Sequence, residues 1–222
     1  MSMPRGLVIL ASIWFFGSWV LCIGLRPPVH PSLASYAPGV RLLLACVAVV
    51  LCAGWPLLRL SGPRERWPVF RVVMDLAVLL ALFHVVLWPL RLATPWPPAR
   101  LALMDAIVFG WTAIVGAIIA VSIRTNHART RTLAMVCCVL ITVLGLPLRV
   151  AAESLGLAQP PAWLQGPVMS SLILGSEAGT QPVRGAWIGV LALGLAVIAA
   201  WGAMLGWLRV TRLPVAATPS DG

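Results

Sequence analysis

Residues 72–123 decide how this chain is built. They read VVMDLAVLLALFHVVLWPL (72–90), RLATPWPPAR (91–100) and LALMDAIVFGWTAIVGAIIAVSI (101–123). The first and last segments are apolar runs of 19 and 23 residues. Crossing the hydrocarbon core of a bilayer takes about 20 residues of apolar helix. Each run therefore predicts a transmembrane helix, and the ten-residue loop between them predicts antiparallel neighbours. Three acidic or imidazole side chains interrupt the runs: Asp75, His84 and Asp105. Such groups are costly in hydrocarbon, and they usually face other helices or a wet cavity.

The rest of the chain has the same character. It is 60% hydrophobic and 10% charged over 222 residues. Long apolar stretches with so little charge exclude an ordinary soluble domain. Further runs fall at about 6–25, 42–58, 133–148 and 185–208. The predicted fold is all-α, a single domain of six transmembrane helices over residues 1–212. A polar tail, 213–222, is expected to be disordered. The first run is too long for a signal-peptide core and has no small-residue cleavage site after it, so it reads as a retained span. Residues 26–41 read as an extended loop with His30, and residues 149–184 as the longest loop. Within that loop, 163–174 is apolar but too short to span, which predicts a re-entrant or interfacial segment.

All sixteen basic residues are Arg, and the net charge is +10. They sit singly or in small clusters between the runs, as the positive-inside rule expects, and not as a nucleic-acid-binding face. With the N-terminus inside, ten arginines fall on the cytoplasmic side and six on the outer side. This predicts both termini in the cytoplasm of a bacterial inner membrane. The six outer arginines either snorkel from helix ends or ring an outer mouth that attracts an anionic group. The five cysteines all lie in predicted spans without a Cys-x-x-Cys pair or zinc spacing, so no disulfide framework or metal site is predicted. Gly185-x-x-x-Gly189 and Gly202-x-x-x-Gly206 in the last run predict close helix packing.

His84 lies six residues from the outer end of its run and Asp105 four residues from that of the next. At 1.5 Å per residue the depths are about 9 and 6 Å. The two side chains are therefore expected within reach of each other. The pair can act as a structural clasp, a proton relay, or support for an axial His ligand. Asp75 follows Arg71 by four residues, which predicts a local Arg71–Asp75 pair. No soluble catalytic motif is present, and no enzyme activity is predicted.

Several features resemble the haem-handling membrane proteins of cytochrome c maturation. The family carries a Trp-rich motif, near Trp-Gly-x-x-Trp-x-Trp-Asp-x-Arg-Leu, before its fourth span. The equivalent place here reads Pro95-Trp-Pro-Pro-Ala-Arg-Leu101, so Trp96, Arg100 and Leu101 match its end. Val139-Leu-Ile-Thr-Val-Leu-Gly-Leu-Pro147 is similar to the family's Leu-Pro after the fifth span, and Pro182-Val-Arg184 to its Pro-x-Arg. Most of the motif's Trp and its Asp have no counterpart, and Tyr36-Ala-Pro38 stands where the family has His-Val-Pro. The resemblance implies haem held at the outer face. Trp96 would offer a flat ring, Arg91, Arg100 and Arg149 would pair with the propionates, and His30 or His84 would ligate iron. Two other readings fit six spans and a long last outer loop. One is the permease subunit of an ABC-2-type transporter, partnered by an ABC ATPase. The other is a non-catalytic scaffold subunit bound to other membrane proteins. Each places the chain in the lipid bilayer, with no nucleic-acid partner.

Overall fold

The computed structural model describes residues 5–24, 32–62, 67–93, 96–124, 127–158, 161, 164–176 and 184–210, and the regular elements among them are all helices. Their order is α1 (Arg5–Cys22), α2 (Leu33–Val49), a π-helical turn (Val50–Gly54), α3 (Trp55–Ser61), α4 (Pro68–Leu87), α5 (Leu90–Ala93), α6 (Pro98–Arg124), α7 (Ala128–Val143), α8 (Gly145–Ser154), α9 (Gly166–Ser176) and α10 (Arg184–Val210). Among the described residues, five helical stretches are long and apolar enough to cross a membrane. A sixth is obtained if α7 and α8, bent by 51° at Leu144, form one broken span. His30, Trp163 and the 213–222 tail lie outside the described residues.

The run predicted as 101–123 becomes the centre of the bundle. Helix α6 packs against α3, α4, α7, α9 and α10. Leu103, Ile107, Val115 and Ile119 are buried on several faces of it. A helix apolar all round suits that position. Helices α1 and α10 are peripheral. One stripe of α1 (Ala11, Phe15, Ser18) is buried, whereas Ile9, Ile13 and Phe16 point away from the bundle. Helix α10 leans mainly on α6, with Ile188, Leu191, Leu195 and Ile198 exposed. Large exposed apolar side chains on long helices are what a lipid-facing surface requires.

Helix α10 meets α6 at glycines of α6, whereas the predicted Gly202–Gly206 pair of α10 takes no part in that contact. A Cβ on Gly110 would stand 2.5 Å from Leu193 Cδ2, so the bare glycine is what admits Leu193. Trp201 Nε1 then donates to the Ala113 carbonyl at 3.0 Å. Around Gly202 and Gly206 there is open space, so that pair packs against nothing among the described residues.

Two loop expectations change. The sequence predicts extended chain over 33–41, yet α2 begins at Leu33, because Ser32 and Ser35 form a reciprocal capping box that closes its first turn. In the long 149–184 segment, α9 packs on α2, α6 and α7 within the bundle, as a re-entrant helix would. Its entry is tight. Gly166 takes φ +80°, and the bare Gly145 allows the Gln165 carbonyl to press against the α7–α8 bend. The similar stretches Trp88–Ala93 and Leu146–Ala151 both mark helix breaks. The first spans the turn between α4 and α5, and the second lies at the start of α8. In each, proline falls where a helix ends or a new one starts, where its missing N–H is least costly.

Candidate functional site

Polar chemistry gathers at two places on α4. Near its C-terminal end, His84 Nε2 stands 2.9 Å from Asp105 Oδ2 on α6. The other ring nitrogen, Nδ1, is 2.8 Å from the Leu80 carbonyl, one turn back on α4. A carbonyl oxygen only accepts, so Nδ1 must carry a hydrogen. The Nε2–Oδ2 contact must then hold a proton as well, because two lone pairs would otherwise face each other. That proton sits either on the ring, giving an imidazolium–carboxylate pair, or on the acid, giving a neutral pair. Both arrangements are uncharged overall. The His84 side chain is 46% exposed and that of Asp105 17%, so the dyad lies at the edge of the helix contact and is not sealed inside it. Oδ1 of Asp105 is buried without a hydrogen-bond partner among the described residues.

Arg100 stacks over the Trp96 ring, its guanidinium carbon 4.5 Å from the ring centroid. Trp96 is only 3% exposed and Arg100 4%. Trp96 belongs to the same buried core as Leu87, Leu90 and Leu101. The sequence suggests an open aromatic face at Trp96; the structure buries the residue against Arg100. Arg91 is exposed on α5, beyond His84 in the chain. Arg149 is engaged with Glu153 at 3.1 Å on α8, and α8 packs on α7 and α9. The structure thus brings together His84 with Asp105, and Trp96 with Arg100. It commits Arg149 to its own helix, and His30 is not among the described residues.

The second place is not legible from local spacing. Asp75 has 0% exposure, and its Oδ2 accepts from Arg59 Nε at 2.6 Å and from Trp55 Nε1 at 3.3 Å. The predicted Arg71 partner is near enough for its charge to act on Asp75 as well. The reason that Arg59 reaches Asp75 lies in the π-helical turn. Pro56 cannot donate into a helix ladder and its ring crowds the preceding turn. The wide turn at Val50–Gly54 absorbs this, closing with Trp55 N–H on the Val50 carbonyl. Such a bulge inserts one residue and so re-aims the side chains on its C-terminal side. Trp55 and Arg59 lie there, four residues apart on one face, and both reach Asp75. Beside them lies a cavity of about 290 Å³ bordered by Arg5, Leu7, Leu58, Arg59 and Asp75. No group of three or more His, Cys, Asp or Glu that could hold a metal ion occurs among the described residues. No protein-family model, no curated protein and no solved structure matches the chain.

Proposed function

We propose that this chain is a non-enzymatic, multi-pass inner-membrane protein in which the His84–Asp105 dyad takes up and returns a proton at the outer face. That proton would make the α4–α6 contact responsive to protonation, as a subunit of a membrane transport or assembly system. One observation carries the reading: Leu80 holds the hydrogen on Nδ1, so the Nε2–Oδ2 contact needs a second proton to exist. Removing it leaves a net negative charge at a half-buried helix contact, which favours separation of the two side chains. The topology belongs to the same proposal: six spans, with Arg5 and both termini cytoplasmic. Reporter fusions at residues 64 and 129 and at the C-terminus test it, and a periplasmic signal from any of them overturns it. The dyad is tested by reconstituting the protein in liposomes under a pH gradient. Proton uptake that disappears in Asp105→Asn supports the reading; uptake equal in the variant removes it.

Haem handling is the second reading, favoured by the stacking of Arg100 on Trp96 where the family motif falls. It needs Trp96 to be uncovered and an axial imidazole from His30 or from His84, and His84 would have to release one of its two ring contacts to serve. The absorption spectrum of the purified protein, with its partners identified, separates the readings. A Soret band lost in His84→Ala supports haem. A co-purifying ABC ATPase supports the permease reading, and other bound membrane subunits support the scaffold reading.

A further inference from the structure

The cavity beside Asp75 continues into a second, apolar space of about 200 Å³ between α1 and the α2–α3 stretch. The two share Leu7, Leu10, Trp55 and Leu58. The first space carries the charged groups Arg5, Arg59 and Asp75 among apolar side chains, and lies where α1 begins and α3 ends. The second is lined by residues further along the helices, such as Ala11, Trp14 and Leu79. A chamber with charged groups at one end, joined to an apolar groove at the end of a membrane bundle, matches an amphiphile. We propose that it binds one glycerophospholipid, with the headgroup beside Arg5 and Arg59 and an acyl chain in the groove.

Charge selects the headgroup. Arg5 and Arg59 bring two positive charges against the one negative charge of Asp75, and the charge of Arg71 also reaches Asp75, so the site is net positive and favours an anionic phosphodiester. The first-turn N–H groups of α1, beside Arg5 and Gly6, add the positive end of a helix dipole. Asp75 Oδ1 is buried without a hydrogen-bond partner among the described residues, so the site also asks for a donor. A hydroxyl supplies one without adding charge, whereas an ammonium would leave the site with its net positive charge. The class that meets both demands is a phospholipid with an anionic phosphodiester and a polyol headgroup, such as phosphatidylglycerol. Tryptophan at this level suits the headgroup region as well.

The test is native mass spectrometry of the full chain in a nonionic detergent. It is titrated separately with dioleoyl phosphatidylglycerol, phosphatidylethanolamine, phosphatidylcholine and soluble glycerophosphoglycerol. Phosphatidylglycerol should bind about tenfold more tightly than the other two lipids, the scale of one charge-assisted hydrogen bond, and the soluble headgroup should not be retained. Arg5→Gln, which leaves the Arg59–Asp75 pair intact, should weaken phosphatidylglycerol by a similar factor. Arg129→Gln, an exposed arginine at the same end of the bundle, should leave it unchanged. Equal losses in the two variants, or equal binding of all three lipids, would overturn the proposal. Tighter phosphatidylethanolamine binding would overturn the headgroup assignment, and retention of the soluble headgroup would show a free-anion site instead.

Discussion

Asp75 and His84 lie nine residues apart on α4, which places them on opposite faces of one helix. Asp75 turns to Arg59 and Trp55, and His84 to Asp105 on α6. One helix therefore carries both polar contacts, the buried one at Asp75 and the half-exposed one at His84, separated by about 13 Å of rise. Each contact ties α4 to a different neighbour, so they can be removed independently.

Breaking the Asp75 pair from one side should be the more damaging change. Arg59→Leu leaves a carboxylate at 0% exposure with only the Trp55 indole as donor. Uncompensated buried charges cost about 3–5 kcal/mol. The double variant Arg59→Leu, Asp75→Leu should recover most of that loss, because no charge is left unpaired. Reversible unfolding in mixed micelles measures both, and equal destabilisation of single and double variants would show that the pair is not the source.

The dyad behaves differently under isosteric change. Asp105→Asn keeps a donor for Nε2 and should fold within about 1 kcal/mol of the parent, given the modest strength of hydrogen bonds between membrane helices. Infrared difference spectra should lose any carboxyl signal assigned to position 105. A destabilisation well above that size would mean that the full charge pair carries the helix contact.

Glycine substitutions should sort by what stands beside them. Gly110→Ala drives a methyl group into Leu193, and overpacking of this kind costs about 1–3 kcal/mol. Gly202→Ala meets open space and should be neutral, or stabilising by up to about 1 kcal/mol through helix propensity. Thermal stability of the two variants checks this. A destabilised Gly202→Ala would show that a partner outside this chain occupies that face.

How much of this is legible in the sequence depends on the reach of each rule. Run length alone indicates the long helices, because the bilayer sets their size. Matched depth on adjacent runs is enough to bring His84 to Asp105. The Arg59–Asp75 pair is hidden, because the local four-residue rule points to Arg71. Only the π-helical turn ahead of Pro56 rotates Arg59 into place, and no spacing rule contains that rotation. Residues 33–41 mislead through Pro38 and Arg41, although Ser32 and Ser35 carry the capping signal. The Gly202–Gly206 pair of α10 misleads because spacing shows that a close approach is possible but not which face is used. Trp96 reads as an exposed ring because it sits in a proline-rich loop, whereas packing against Leu87 and Leu90 draws it inward.

The stacked pair at that loop gives a further test. Arg100→Lys keeps the charge but loses the planar stack on Trp96. Its expected cost is about 1–2 kcal/mol, with increased access of aqueous quenchers to tryptophan fluorescence. Unchanged stability and quenching would mean that Arg100 does not hold Trp96 inside.

The shared proton of the dyad is tested most directly by nitrogen-15 NMR of the His84 ring in the membrane-embedded protein. The account predicts a protonated Nδ1 with a hydrogen-bonded shift. It also predicts an Nε2 that is either protonated or hydrogen-bonded to the acid of Asp105, and that changes in Asp105→Asn. A ring with its only proton on Nε2 and a bare Nδ1 would contradict it. So would Nε2 signals identical in the parent and the variant.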